Sequence, residues 1–229
     1  MKQVEITAEI IQLTRLGLVN CYLVREDDGV TLIDTMISGS AGVILDAAQA
    51  LNRRLRRIAL THVHGDHVGS LDGLANALAG IEVAVGRRES RLLQRDFQTE
   101  PDEPHRKIRG SFPRVKTIPS VLLNDGEMYG SLRVVASPGH TPGHIAFFDV
   151  RSGTLIAGDA LVTVGGLRVS GDATAAFPII NWATWDKPTA VASARRLLEL
   201  QPKTIAVGHG KPITQNASAA LQRAIRHAE

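Results

Sequence analysis

Along the first half of the chain, short apolar runs alternate with polar, glycine-bounded breaks. Val4 to Ile11, Cys21 to Arg25 and Val30 to Asp34 read as successive strands, and Asp27-Asp28-Gly29 supplies a hairpin turn between the last two. From Ala41 to Arg57 the spacing changes. Val43, Ile44, Ala47, Ala48, Leu51 and Leu55 form the apolar stripe of an amphipathic helix, and Arg53, Arg54, Arg56 and Arg57 crowd its end, where cations oppose the negative pole of the helix dipole. Arg57 to Leu60 reads as a buried strand, Ser70 to Ala79 as a second helix and Ile81 to Val85 as another strand. This alternation predicts helices laid outside packed sheets.

The second half has Ser120 to Leu123, Leu132 to Ala136, Ala146 to Val150, Thr154 to Ala157 and Thr204 to Val207 as strands, with turns at Asn124-Asp125-Gly126 and Arg151-Ser152-Gly153. Lys187 to Leu200 is a helix with Ala190, Ala194, Leu197 and Leu198 inward, stopped by Pro202, and Thr214 caps a last helix running to His227. Two stretches break the pattern. Residues from about 86 to 119 hold Pro101, Pro104, Gly110 and Pro113, with only Arg87 to Asp96 able to be helical; residues 162–185 carry Phe177, Pro178, Ile179, Ile180, Trp182 and Trp185.

Thr61-His62-Val63-His64-Gly65-Asp66-His67 crowds four ligand-type side chains into six positions. One helical face cannot use them together, whereas an extended segment projects His62, His64 and Asp66 to one side at period two. Gly65 is free to take a positive φ and bend the chain so that His67 faces a neighbouring centre. Burying such a set without a cation would be costly, so the segment points to metal, and to more than one ion. Further donors stand behind apolar runs, at Ser137-Pro138-Gly139-His140-Thr141-Pro142-Gly143, at Gly158-Asp159 and at Gly208-His209-Gly210.

In that order, HxHxDH, PGHTPGH, GD and GHG resemble the metallo-β-lactamase fold hydrolases, and the likeness covers nearly the whole chain. It is nearer to the glyoxalase II and lactonase branches than to the true β-lactamases, because those branches supply a bridging aspartate where Asp159 stands. The resemblance implies an α/β fold, a four-layer αββα sandwich of two mixed sheets packed face to face with helices outside, formed by residues 1–229 as a single domain. It implies that His62, His64 and His140 bind one metal, that Asp66, His67 and His209 bind a second, and that Asp159 bridges. Asp34 would lie just behind them, either accepting from a ligating histidine or serving as an ordinary strand-end carboxylate. His144 is kept for structure in the family and stays outside the ligand set, and His105 is not expected to bind metal. The 86–119 stretch is either a lid or a solvated excursion. The aromatic and aliphatic residues of 162–185 either wall the substrate site or pack a core.

The chain has 229 residues, a formal charge of +3 and one cysteine. The weak charge gives no nucleic-acid stripe, and Cys21, without a disulfide partner, fits a reducing compartment as a small buried residue. Lys2, Glu5 and Glu9 interrupt the first residues, so no secretory signal is expected. No apolar run is long enough to span a membrane. The expected protein is cytoplasmic, binds a small molecule rather than nucleic acid or membrane, and is a homodimer on base rates.

The chemistry expected of such a centre is hydrolysis, with a hydroxide bridging two divalent ions, zinc first and iron, manganese or cobalt as alternatives. Asp66 would orient the hydroxide and Asp159 would return a proton to the leaving group. Departures from the family narrow the substrate. The lactonase tyrosine is replaced by Val162, and the residues following His209 leave no length for the helical C-terminal domain with which glyoxalase II binds glutathione. Small, fairly apolar esters and lactones fit best. A mononuclear iron dioxygenase and a non-catalytic metal-binding module are the other two classes.

Overall fold

The computed structural model describes residues 1–172 and 176–229; residues 173–175 of the second irregular stretch lie outside the described residues. Strands β1 (Lys2–Glu5), β2 (Ile10–Arg15), β3 (Val19–Glu26), β4 (Gly29–Ile33), β5 (Leu55–Leu60), β6 (Glu82–Gly86) and β7 (Val121–Leu123) lie in that order across a seven-stranded sheet. It is antiparallel from β1 to β4 and parallel from β4 to β7. Strands β8 (Met128–Tyr129), β9 (Leu132–Ala136), β10 (Ile145–Asp149) and β11 (Thr154–Ile156) build an antiparallel second sheet. After a separate ribbon of β12 (Leu161–Val162) and β13 (Arg168–Val169), β14 (Thr204–Ala206) returns to pair with β11 in parallel. The helices are α1 (Ala41–Gln49), α2 (Gly65–Val68), α3 (Leu71–Ala77), α4 (Glu89–Leu93), α5 (Ile179–Ala183), α6 (Lys187–Glu199) and α7 (Ala217–Ala228). Parallel pairing demands crossovers, which α1, the α2–α3 pair and α6 supply.

Period-two alternation assigns the layers. From the first sheet, Tyr22, Val24, Ile33, Ala59 and Ala84 meet Leu132, Val134, Ile145, Phe147, Ile156 and Ala206 of the second in one buried cluster. Their sequence neighbours turn the other way. Leu23, Leu32, Ile58 and Val83 pack with Ile44, Ala48, Leu71 and Leu74 of α1 and α3. Val135, Ala146, Leu155 and Ile205 pack with Ala194, Leu197, Leu221 and Ala224 of α6 and α7. The result is the four-layer αββα sandwich of two mixed sheets. Cys21 is fully buried within the α1-facing layer, and burial pushes its thiol well up.

Several boundaries differ from the sequence expectation. The run from Val4 to Ile11 is two strands, because the Thr7 hydroxyl accepts from the Glu9 and Ile10 amides and turns the chain between them. The helix from Ala41 ends at Gln49 instead of Arg57, with Asn52 left-handed at φ 51° just beyond. The arginines that follow therefore cap no helix: Arg56 and Arg57 belong to β5, and Arg57 pairs with Asp28. The last helix starts at Ala217, after a left-handed Asn216, so Thr214 is not its cap. No helix among the described residues is long and apolar enough to cross a membrane.

Phe147 is fully buried between the sheets. Phe147→Ala should lower unfolding free energy by about 3–5 kcal/mol, read from the denaturant midpoint at unchanged slope.

Candidate metal centre

The C-terminal ends of β4, β5, β11 and β14 lie along one rim and are followed by Asp34, His62, Asp159 and His209; His140 comes from the loop between β9 and β10. The rim is sewn across the sheets: the Ile145 amide donates to Thr61 O at 3.0 Å and the Asn20 amide to Gly208 O at 2.9 Å. The extended run expected through Asp66 stops at His64. The amides of His67 and Val68 both turn back to His64 O, at 2.9 and 3.0 Å, so Gly65 opens the helical turn α2 instead of making a left-handed bend. Asp66 and His67 are thus presented by a helical turn, not by a strand.

All seven expected side chains converge. Ligand atoms of His62, His64 and His140, of His62, His67 and Asp159, and of Asp66, His67 and His209 lie within 4.8 Å of one another in each group. Asp159 faces both sides of the cluster: Oδ2 is 3.5 Å from His140 Nε2 and 3.1 Å from His209 Nε2, and Oδ1 is 3.4 Å from His67 Nε2. The approach is close enough that a Cβ on Gly208 would fall 2.0 Å from Asp159 Oδ1. His144 joins none of the groups; its Nε2 accepts the Asp159 amide at 3.1 Å, and burial takes its pKa down to about 3. His105 is exposed and meets Thr99.

Hydrogen-bond direction fixes where the imidazole lone pairs point. The Thr184 hydroxyl donates to Ile180 O at 2.5 Å, so it accepts from the Ser170 hydroxyl at 2.7 Å, and Ser170 in turn accepts from His140 Nδ1–H at 2.9 Å. His64 Nε2–H donates to Arg109 O at 3.0 Å. The bare nitrogens His140 Nε2 and His64 Nδ1 are then left facing each other at 2.9 Å. Burial takes His64 down to about 4 and holds His140 well below its ordinary range, so at neutral pH no proton lies between them. Two lone pairs so placed repel unless a cation takes both.

Asp34 plays the same part for the other pair. One of its oxygens accepts from His67 Nδ1–H and from the Thr61 hydroxyl, both at 2.8 Å, and the other takes the Thr61 amide at 2.8 Å. Thr61, its proton committed, accepts from His62 Nδ1–H at 3.1 Å. The far nitrogens, Nε2 of His62 and Nε2 of His67, are buried without a hydrogen-bond partner, as is Asp159 Oδ1. A divalent cation fits such a donor set, which is nitrogen and carboxylate oxygen throughout.

Without a cation the carboxylates draw protons onto the imidazoles. Burial opposes a charge on His209, but Asp159 and the hydrogen bonds to Asp159 and Asp66 lift its pKa to about 9. Burial alone would raise Asp66 and Asp159; the neighbouring His67 and His209 instead hold both well below the usual carboxylate range.

The sequence matches the metallo-beta-lactamase superfamily over residues 14–209. The chain belongs to that superfamily. Relatives within it include the Bacillus subtilis (strain 168) uncharacterized protein YobT, 47% identical over 92% of this chain and 91% of its own. The hydroxyacylglutathione hydrolase GloC of Haemophilus influenzae is 29% identical over 90% of this chain and 92% of its own. The solved structure of TTHA1623 in a di-iron-bound form superposes with a TM-score of 0.67 and 25% identity, covering 93% of this chain and 96% of that one.

One residue that sequence reasoning missed ties the superfamily motifs together. Glu89 is fully buried on α4, and its carboxylate accepts the Val63 amide at 3.0 Å, the Thr141 hydroxyl at 2.8 Å and the Gly143 amide at 3.1 Å. It therefore staples the His62–His64 segment to the His140 loop. Burial pushes its pKa up to about 7 against the pull of those three donors. No local signal marked it in the sequence, where it stands among Arg87, Arg88, Ser90 and Arg91 like an ordinary surface charge.

A cavity of about 880 Å³ opens onto the cluster. Phe177, Ile179, Ile180 and Trp182 line it, as the wall reading expects; Trp185 does not, being buried with its indole N–H on Arg106 O at 3.1 Å. Pro178 is also absent from the lining. From the first irregular stretch, Gly110, Ser111, Pro113 and Arg114 form the facing side, so this excursion walls the cavity.

Asp34→Asn replaces one of the two acceptor oxygens with an NH2 group, which must face a donor, either His67 Nδ1–H or the Thr61 amide, and metal affinity measured against a competing chelator should fall about 10–100-fold. Because, against burial, Asp159 and its hydrogen bonds hold His209 protonated up to about pH 9, and Asp159 and Asp34 lift His67 well above its ordinary range too, affinity of the metal-free protein should climb with pH from neutrality through that value. Calorimetry in buffers of different ionisation enthalpy should record the released proton.

Proposed function

We propose that this chain is a binuclear metal-dependent hydrolase acting on small carbonyl electrophiles, with esters, lactones and thioesters as the substrate range. The observation that carries this reading is the set of buried imidazole nitrogens whose second nitrogens are committed to Asp34, Thr61, Ser170 and Arg109, all beside an open, partly apolar cavity. His62, His64 and His140 would hold one ion, Asp66, His67 and His209 the other, and Asp159 both. Zinc is the first choice for nitrogen and carboxylate donors, and the di-iron form of TTHA1623 supports iron as the next. Such ions would supply Lewis acidity and a water whose pKa drops from about 15.7 to about 7.

The chain's own residues would divide the remaining work. Asp66, whose side chain is 35% exposed toward the cavity, orients the attacking water. Asp159, almost wholly buried but also on the cavity wall, passes the proton to the leaving group. Ile179 and Trp182, largely exposed at the cavity, receive the apolar part of the substrate. The Haemophilus relative aligns over 92% of its own length, so its named activity accompanies a chain of this extent and keeps a thioester within range despite the expectation from length. A single-iron dioxygenase would leave one donor group unused, and it would consume dioxygen.

The test is metal content of protein from its native host, followed by a panel of esters, lactones, thioesters and phosphoesters. His62→Ala and His209→Ala should each lower both metal stoichiometry and turnover, the latter by about a hundredfold or more, since a lost ligand should cost at least as much as a lost supporting residue. A fully loaded, fully active variant would refute the assignment, and oxygen uptake would favour the iron oxygenase.

A further inference from the structure

A second concavity, of about 380 Å³, shares two walls with the metal-site cavity. Ile180 and Trp182 of α5 line the first cavity, while Asn181 lines the second; Ser111 and Arg114 line the first, while Arg106, Lys107 and Arg109 line the second. Lys187 completes four cationic residues, and no carboxylate is among the lining residues. Arg106 is occupied by Asp186 at 2.8 Å, and Lys187 stands 4.0 Å from Asp172, which also meets His227 at 2.8 Å. Lys107 and Arg109 have no acidic partner among the described residues. Asn181, half-buried, adds an amide whose oxygen is buried without a hydrogen-bond partner; turned over, the same amide places N–H donors there.

The walls of this pocket are also the supports of the metal centre. Arg109 O holds His64 Nε2, Thr184 leads through Ser170 to His140 Nδ1, and the Trp185 amide donates to His140 O at 3.0 Å. We propose that the pocket binds a compact oxyanion of the phosphate class and that its occupancy is felt at His64 and His140. The anion is either the tail of a substrate whose reacting carbonyl lies in the first cavity or a separate effector. Arginine and lysine side chains with a donor amide are what such an anion requires. Binding stands apart from the hydrolytic reading; only the coupling rests on it.

The experiment is equilibrium dialysis of radiolabelled inorganic phosphate against the metal-loaded protein. Wild type and His209→Ala should both bind an equivalent that Lys107→Glu/Lys187→Glu binds about tenfold or more weakly, both residues being exposed and neither touching a metal-binding side chain. Lys107→Glu and Lys187→Glu, on different elements, should each weaken it alone. If all phosphate binding vanishes with His209→Ala and survives both charge reversals, the pocket is no site. Kinetics then separate the sources. Phosphate that alters kcat/KM for a neutral ester in wild type but not in the double variant marks an effector. A phosphate-bearing ester that alone loses kcat/KM in the double variant marks a substrate tail. Intact binding with neither effect overturns the coupling to His64 and His140.

Discussion

The structure turns on a repulsion. Two neutral imidazoles, His64 and His140, are pressed together bare nitrogen to bare nitrogen, and each is locked in that attitude by a carbonyl at the far end of its hydrogen bonds, Arg109 O directly and Ile180 O through two hydroxyls. Holding lone pairs together in a buried site runs against folding unless something positive joins them. Much of the surrounding polar architecture serves that arrangement: the Asp34–Thr61 pair commits His62 and His67, and Glu89 keeps the two motif segments in register.

Because the donors come from both sheets, the centre is also a tie between them. His62, His64 and His67 follow a strand of the first sheet, whereas His140, Asp159 and His209 follow strands of the second. The inter-sheet core is apolar and indifferent to direction, so it fixes the distance between layers more than their slide. Polar contacts at the rim settle the slide. Tyr22 and Asn20 of β3 both donate to Val207 O, ahead of the His209 turn, at 2.5 and 2.8 Å.

Apolar runs alternating with helical spacing made helices outside packed sheets legible, and the likeness to the superfamily supplied the four-layer order; strands such as β3 and β4, buried on both faces, carry no polar alternation of their own. The seven donors were legible because each stands beside glycine or within a dense cluster behind an apolar run. What escaped is physically of one kind. Leu51 and Leu55 keep a helical spacing on both sides of a left-handed Asn52, which periodicity cannot sense. The α2 turn replaces an extended run because backbone amides find His64 O, a choice made by hydrogen bonding and not by side-chain pattern. Glu89 escaped because its partners are distant in sequence, and Trp185 left the wall because Arg106 O offers its indole a partner.

Gly110 has a consequence for how the long excursion relates to the chemistry. Its φ is +120°, and a methyl group there would sit 2.0 Å from His64 Nε2, so the segment that walls the cavity rides directly on a ligand-bearing ring. Arg109 O, 3.0 Å from Nε2, and the Phe112 ring, 4.8 Å away between centroids, flank that contact, so the wall is indexed to the metal-binding cluster at neighbouring points of one segment. The shape of the cavity and the set of a ligand-bearing ring are thereby coupled, and the coupling holds only while position 110 stays bare of any side chain.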